Sequence, residues 1–539
     1  MRRLIAGLAL LTLTACSGTA AGDVEDAGPP RQGGTLTVAV DTEPVSWDIH
    51  VTTQDITAEI SRNVFDSLVS QDAEGRFHPW LATSWEVAPD FTSYTFHLRE
   101  DVTFHDGTVF DAAAVKANFD HIVDPATKSQ YAAGLLGPYT GAEVVDPHTV
   151  RIAFAEPFAP FLQAAATTYL GFYSPKALTG PLSGGGAANV GSGPFVFSAY
   201  TKGQSVTLTR NPAYTWGPGT AAHPGAAYLD SVVVRFLPAG FTRSGALTSG
   251  QVQVARAIPP QSVAAAQADP RLKVISRGVP GGNYNLWFNG SLAPLDDQRV
   301  RQAVQRGIDI DTNVRTVQFG QFPRAWSPIT PTTPYYAKSL ENSWPYDPAL
   351  SARLLDEAGW TGRDSDGYRT KGGVRLTLGW PQIAEAATRE SRDVLGQAIQ
   401  ADLKKIGIQV DRPSVDVGTY SAQVYGGKAH LVDLSWPRFE ADVLWLFLNS
   451  RSAPATGGIN ATFVTDPELD AWTAAGRATL DDAARRDAYE RTQRRAIDLA
   501  LVTPLYTQVT IVGHSTGVHG LAFDANNWVR YADAWLVTP

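Results

Sequence analysis

One cysteine, Cys16, stands in a chain of 539 residues. That excludes a disulfide within the chain and a thiolate cluster around a metal. Basic residues are also in deficit, 44 against 53 acidic, for a net charge of −9. With no basic block there is no electrostatic footprint for nucleic acid. The ten histidines are scattered, and neither an HExxH motif nor a His/carboxylate cluster occurs, which argues against a resident metal centre. Gly191-Ser192-Gly193 lacks the Walker lysine and the GxGxxG spacing of a phosphate cradle, so it reads as a structural turn. Beyond the first residues no apolar run reaches the roughly 18 residues of a membrane span.

The N-terminus is informative. Arg2-Arg3 precede an apolar stretch, Leu4 to Leu13, too short to cross a bilayer. Leu13-Thr14-Ala15-Cys16 resembles the lipobox of bacterial lipoproteins, in which cleavage precedes the cysteine and its sulfur is lipidated. The resemblance implies a signal peptide over 1–15, lipidation of Cys16 and a flexible, Gly/Pro-containing tether over 16–34. The body is then extracytoplasmic, anchored to the outer face of the cell membrane.

The body has the length of about three domains of roughly 150 residues and a globular composition, 44% hydrophobic and 18% charged. Its most ordered stretch is Pro79 to Val123. Tyr94, Phe96 and Leu98 alternate on one side of a strand, His105-Asp106-Gly107 forms a turn, and Asp111 caps a helix with Val115, Phe119 and Ile122 on one face. Similar reasoning predicts a strand at Thr35–Val40, a helix from about Gln54 to Leu68 and a hairpin from Phe195 to Arg210. Helices capped at Asp296 or Asp297 and at Asp347 follow, then one from Arg389 to Ile406. Strands alternate with helices through the second half, which argues for α/β packing.

Several of these segments resemble a known family in the right order. Leu81-Ala82, Ser84-Trp85-Glu86, Asp90, Tyr94-Thr95-Phe96, Leu98-Arg99 and Val102 through Gly107 follow the signature of the extracytoplasmic solute-binding proteins of peptide/nickel ABC transporters. Val190-Gly191-Ser192-Gly193-Pro194-Phe195 and Val300-Arg301-Gln302-Ala303-Val304 with Ile308-Asp309 are similar to further motifs of that family. The resemblance implies a two-lobed, periplasmic-binding-protein-like α/β fold (type II, cluster C) with mixed sheets. One lobe would take 35–74, 190–283 and 511–539, the other 284–510, with an extra domain over 75–189. It also implies a monomer without cofactor that passes a solute, by default a peptide, to permease subunits and their ATPase. Relatives that take nickel or metallophore complexes or saccharides make those the alternatives.

The remaining question is where the chemistry lies. Gly513-His514-Ser515-Thr516-Gly517 matches GxSxG, but no helix follows and a later acid-then-histidine order does not fit, so a serine hydrolase is the distant alternative and a turn the preferred reading. No catalytic residue is assigned. For ligand contact the candidates are Trp436, Arg438, Glu440 and Asp442, where the family carries a Trp followed by Asp-Pro-Asp, together with Trp47 and Tyr284 near the expected lobe junctions. On this reading Asp442→Ala weakens ligand binding and leaves the melting temperature of the empty protein nearly unchanged.

Overall fold

The computed structural model describes residues 28–129, 131–383 and 389–537. The leader 1–15, Cys16 and the tether as far as residue 27 lie outside the described residues. Among the described residues no helix is long and apolar enough to cross a membrane.

The first lobe is organised by a seven-stranded mixed sheet. Its order is Leu272–Gly278, Val509–Ser515, Val254–Arg256, Thr35–Val40, Ser231–Phe236, Ser205–Arg210, Phe195–Thr201. Thr35–Val40 runs parallel to both of its neighbours. Leu36, Val38 and Val40 enter one core with Ile56, Ile60, Val232 and Val234, while Ala39 and Ala255 face a second core with Leu247 and Ile258. Side chains alternate across a strand, so burying both faces fixes its register.

The extra domain is a four-stranded antiparallel sheet, ordered Ala82–Val87, Ser93–Leu98, Thr149–Phe154, Tyr139–Asp146. Tyr94, Phe96 and Leu98 are buried against Val115, Phe119 and Ile122 of helix Ala112–Val123. Asp111 caps that helix, accepting from the Ala114 N–H at 2.8 Å. The His105-Asp106-Gly107 turn, with Gly107 at φ 79°, also fastens the domain to the first lobe. The His105 backbone N–H donates to the Gly191 carbonyl at 2.9 Å and the His105 Nε2 lies 3.0 Å from the Gly193 carbonyl, while within the domain Ser174 Oγ donates to Asp106 at 2.7 Å. A Cβ on Gly191 would lie 2.1 Å from the Val64 carbonyl oxygen. The glycine loop is thus a close packing of backbone on backbone, with no room for a phosphate.

That packing also ends a helix early. The predicted span from Gln54 to Leu68 is helical only over Asp55–Ser61. The carbonyls of Asn63 and Val64 instead accept from Phe195 and Gly193, at 3.0 and 2.9 Å. Val64 and Leu68 stay buried outside the helix.

The second lobe carries a three-stranded antiparallel sheet with Gly281–Phe288 between Leu431–Pro437 and Val502–Tyr506. Around it pack Gln298–Arg306, Pro348–Glu357, Pro467–Arg477 and Asp482–Asp498. Asp297 and Asp347 cap the first two of these, accepting at 2.9 and 2.8 Å. The expected helix from Arg389 begins at Arg392 and runs to Lys405. Glu390 and Ser391 take left-handed backbone angles, φ 50° and 54°, held by tertiary hydrogen bonds described below.

Two adjacent chains cross between the lobes. Leu272–Gly278 continues into Gly281–Phe288, and Val502–Tyr506 into Val509–Ser515. At the crossing the Val279 N–H donates to the Gln508 carbonyl at 2.8 Å. Val509–Ser515 also takes in the first three residues of the GxSxG match, so the turn expected over the whole match is confined to Thr516 and Gly517. Gly513 and His514 are paired on both sides within the sheet and Ser515 stands opposite Leu272, with a turn at Thr516 and Gly517 after it, so Ser515 is not on a strand-to-helix elbow.

The glycine loop yields a comparison. Gly107 has open space where a Cβ would go, so Gly107→Ala adds only the left-handed backbone penalty of about 1 kcal/mol. Gly191→Ala must move the Val64 backbone and is expected to lower the melting temperature by clearly more. Equal losses in scanning calorimetry would contradict the close approach.

Candidate functional site

A cavity of about 880 Å³ opens between the lobes beside the crossing strands. The first lobe contributes Asp41, Asp55, Arg243, Arg256 and Trp528; the extra domain contributes Tyr131. From the second lobe come Gln382, Glu390, Arg392, Tyr420, Asp433 and Trp436, and Gln508 lines it from the crossing. The volume falls within the range of about 300–1,000 Å³ usual for small-molecule sites.

Charge on these walls is mostly answered by the protein itself. Arg256 lies 2.7 Å from Glu59 and 3.3 Å from Asp41. Burial holds the Glu59 carboxyl well above its usual range, at about 7, against the pull of Arg256. Arg243 donates to four carbonyls, those of Leu237, Pro238, Arg256 and Ala257. In the second lobe Arg392 pairs with Glu390 at 3.1 Å and lies over the Tyr284 ring, 4.3 Å from its centroid. Burial pushes the Glu390 carboxyl up, but Arg392 and the hydrogen bonds from Tyr506 (2.5 Å) and Gln508 (2.6 Å) outweigh it and leave the group lowered. Gln318 donates to the Glu390 carbonyl at 2.5 Å. These contacts hold the left-handed turn that breaks the expected helix. Asp433 accepts from the Tyr284 hydroxyl and from Trp380 Nε1, the latter at 2.5 Å.

The six ligand-contact candidates separate. Trp436 lines the cavity, its ring edge-on to Tyr131 of the extra domain at 5.5 Å. Tyr284 stands behind the wall, 1% exposed, beneath Arg392 and bonded to Asp433. Trp47 is core of the first lobe, packed against Phe197 and Tyr200 at 4.9 and 5.3 Å. Arg438, Glu440 and Asp442 lie off the cavity wall and are buried. Glu440 pairs with Arg485 at 2.6 Å, and Asp442 with Arg477 at 3.1 Å and Arg438 at 4.0 Å. Burial raises the Asp442 carboxyl, against the pull of Arg477 and Arg438. Arg438 also reaches the extra domain, donating to Gln163 at 2.9 Å. Asp442, a ligand-contact candidate in the sequence, is covered by Arg477 from a distant helix.

Asp433, Arg392, Glu390, Arg256 and Tyr420 are the cavity groups the sequence reading missed. Only Asp433, three residues ahead of Trp436, was within reach of a local signal. The ladder between Gly281–Phe288 and Leu431–Pro437 shifts register between Gly282 and Asn285, and such irregularities re-aim side chains near sites. Among the described residues no group of three His, Cys, Asp or Glu side chains is placed to hold a metal ion.

Comparison with known proteins agrees with this geometry. Residues 76–457 match the model of "Bacterial extracellular solute-binding proteins, family 5 Middle". The glutathione-binding protein GsiB of Escherichia coli K12 is 26% identical over 510 residues, covering 93% of this chain and 94% of its own. NikA from Brucella suis, solved in complex with Fe(III)-EDTA, superposes with a TM-score of 0.80 at 27% identity, over 94% of this chain and all of that one. The periplasmic binding protein DppA from Helicobacter pylori, solved with the peptide STSA, has the same fold, with a TM-score of 0.79 at 24% identity over 94% of this chain and 98% of that one. The chain belongs to family 5 of the bacterial extracellular solute-binding proteins, the two-lobed binding components of ABC importers.

Proposed function

We propose that this protein captures a small peptide between its lobes and passes it, chemically unchanged, to an ABC permease. The carrying observation is the interlobe cavity of about 880 Å³, walled by polar and aromatic groups from both lobes. A ligand that touches both walls binds the closed form better than the open one, and that difference drives closure. Leu431–Pro437 is an edge strand of its sheet, and Leu434 to Pro437 line the cavity. An edge strand offers main-chain donors and acceptors to an extended peptide. The similarity to a glutathione-binding and a peptide-binding protein supports a ligand of a few residues.

In this reading Trp436 contacts the ligand and Tyr284 positions Asp433, while Trp47, Arg438, Glu440 and Asp442 are structural. The lobes divide at 35–74, 190–283 and 511–539 against 284–510, with 75–189 as the added domain. The protein acts as a monomer, held by lipid on Cys16 at the periplasmic side of the cell membrane.

Three outcomes follow. Native mass spectrometry of the purified body is expected to release a di- to oligopeptide on unfolding; a metal chelate or a saccharide overturns the peptide assignment. Cys16→Ser is expected to move the protein from the membrane to the soluble fraction, and unchanged fractionation removes the anchor. Asp442→Ala leaves Arg477 and Arg438 without their buried counter-charge. Breaking such a pair costs about 3–5 kcal/mol, so the empty protein is expected to melt markedly lower. An unchanged melting temperature with lost ligand binding would return Asp442 to the binding site.

A further inference from the structure

Resting on the reading of the cavity as a solute site, we infer that the solute carries an apolar side chain, received by Phe241 with Pro259 and Pro260 of the first lobe. Phe241 lines the cavity and is 70% exposed. Of the large apolar side chains exposed among the described residues, it alone lines the cavity. Pro238, Pro259 and Pro260 line it from the same lobe, and the crossing adds Val279 and Val509. Covering an exposed aromatic ring removes apolar surface from water, which favours an apolar group as the cover.

This shelf is held rigidly. Phe241 is the second residue of helix Gly240–Thr248, and the prolines follow on the segment that leaves strand Val254–Arg256. Buried Arg243 staples the two segments together. Its guanidinium donates to the Leu237 and Pro238 carbonyls, both at 2.7 Å, and to those of Arg256 and Ala257, at 3.1 and 2.7 Å. A Cβ on Gly240 would lie 2.5 Å from Pro259 Cγ, so the start of the helix rests on the proline pair. Ala257 holds a left-handed backbone, φ 54°, which costs free energy in a residue with a Cβ. Strain of that kind persists only where its surroundings enforce it, and it collects at ligand clamps. The Ile258 N–H donates to the Ile511 carbonyl at 3.2 Å, which fixes the prolines to the central sheet.

The second lobe leaves the ring uncovered. Trp436 already meets Tyr131, and Arg438 already donates to Gln163, so the lobes are in contact while Phe241 keeps its exposure. What covers it is therefore a molecule in the cavity. A branched aliphatic or aromatic side chain matches a ring flanked by prolines, whereas a wholly polar solute would leave the ring wet.

The test titrates the refolded mature protein, freed of co-purified solute, with trileucine, trialanine and triserine, which are equal in length and charge. Trileucine is expected to bind about tenfold or more tighter than triserine, the discrimination an apolar pocket gives for a few methylenes, with trialanine between. Phe241→Ala is expected to remove most of that preference, weakening trileucine about tenfold and triserine by no more than about twofold. Phe241→Leu is expected to restore it. Because the ring is exposed, both variants are expected to melt with the wild type when empty. Phe319→Ala removes a ring that is 59% exposed but off the cavity wall, and is expected to leave the series unchanged. No binding of trileucine, binding no tighter than that of triserine, or an undiminished preference in Phe241→Ala overturns the inference. An equal loss for all three peptides in Phe241→Ala also overturns it, because that is an effect on closure and not on the side chain. The solute reading fails separately, by native mass spectra that show no released small molecule from protein never unfolded. A released peptide without an apolar side chain overturns the inference and leaves solute capture standing.

Discussion

The Val279 N–H to Gln508 carbonyl bond, at 2.8 Å, lies where two antiparallel strands pass together from one lobe to the other. Everything about the cavity follows from that passage. Leu272–Gly278 pairs with Val509–Ser515 on one side of it, and Gly281–Phe288 pairs with Val502–Tyr506 on the other. The ribbon is anchored at both ends in sheets whose faces are buried, so the lobes cannot slide along it. They can only turn about the few residues between the ladders. Val279, Gln508 and Val509 line the cavity, which puts the solute site beside the pivot. Small rotations there open and shut a distant mouth, the geometry of hinge closure.

The second constraint is electrostatic. The wall of the second lobe has charges behind it as well as on it, and burial decides which are available. Glu440 with Arg485, and Asp442 with Arg477 and Arg438, are withdrawn from water. Removing two charges from water is expensive, and their attraction repays it only when they remain together. Such pairs therefore hold helices Pro467–Arg477 and Asp482–Asp498 to the segment after Trp436, and none of the three arginines is spare to meet a ligand. Asp433, at the cavity wall, is positioned by neutral donors, the Tyr284 hydroxyl and the Trp380 indole N–H.

This division explains what was legible in the sequence. The strand Ser93–Leu98, the turn at Gly107 and the caps at Asp111, Asp297 and Asp347 depend on neighbours within a few residues. Periodicity and capping rules reach that far. The helix that stops at Ser61 and the break at Glu390 were not legible, because carbonyls of Asn63 and Val64 and the side chain of Glu390 bond to partners far along the chain. The arginine partners of Glu440 and Asp442, both ligand-contact candidates in the sequence, were hidden for the same reason. Arg485, 45 residues beyond Glu440, is invisible to a local reading, and without it a buried acid and a cavity acid are spelled alike. The overall architecture was legible because motifs spread over the chain resemble one family in order.

The segment after the edge strand has a second consequence, for how readily the lobes part. Trp436 meets Tyr131 edge-on at 5.5 Å, Arg438 donates to Gln163 at 2.9 Å, and the Phe439 N–H donates to Asn526 at 3.1 Å. All three contacts join the second lobe directly to the extra domain or the first lobe. Each hydrogen bond contributes about 0.5–1.5 kcal/mol net, and an aromatic edge-to-face pair about as much. A few such contacts favour closure by an amount comparable to what a weak ligand contributes. Opening must break them, against the regained freedom of the lobes and the hydration of the cavity's charged walls. The solute then needs to supply only the remainder. The extra domain thereby sets part of the closing equilibrium through Tyr131 and Gln163.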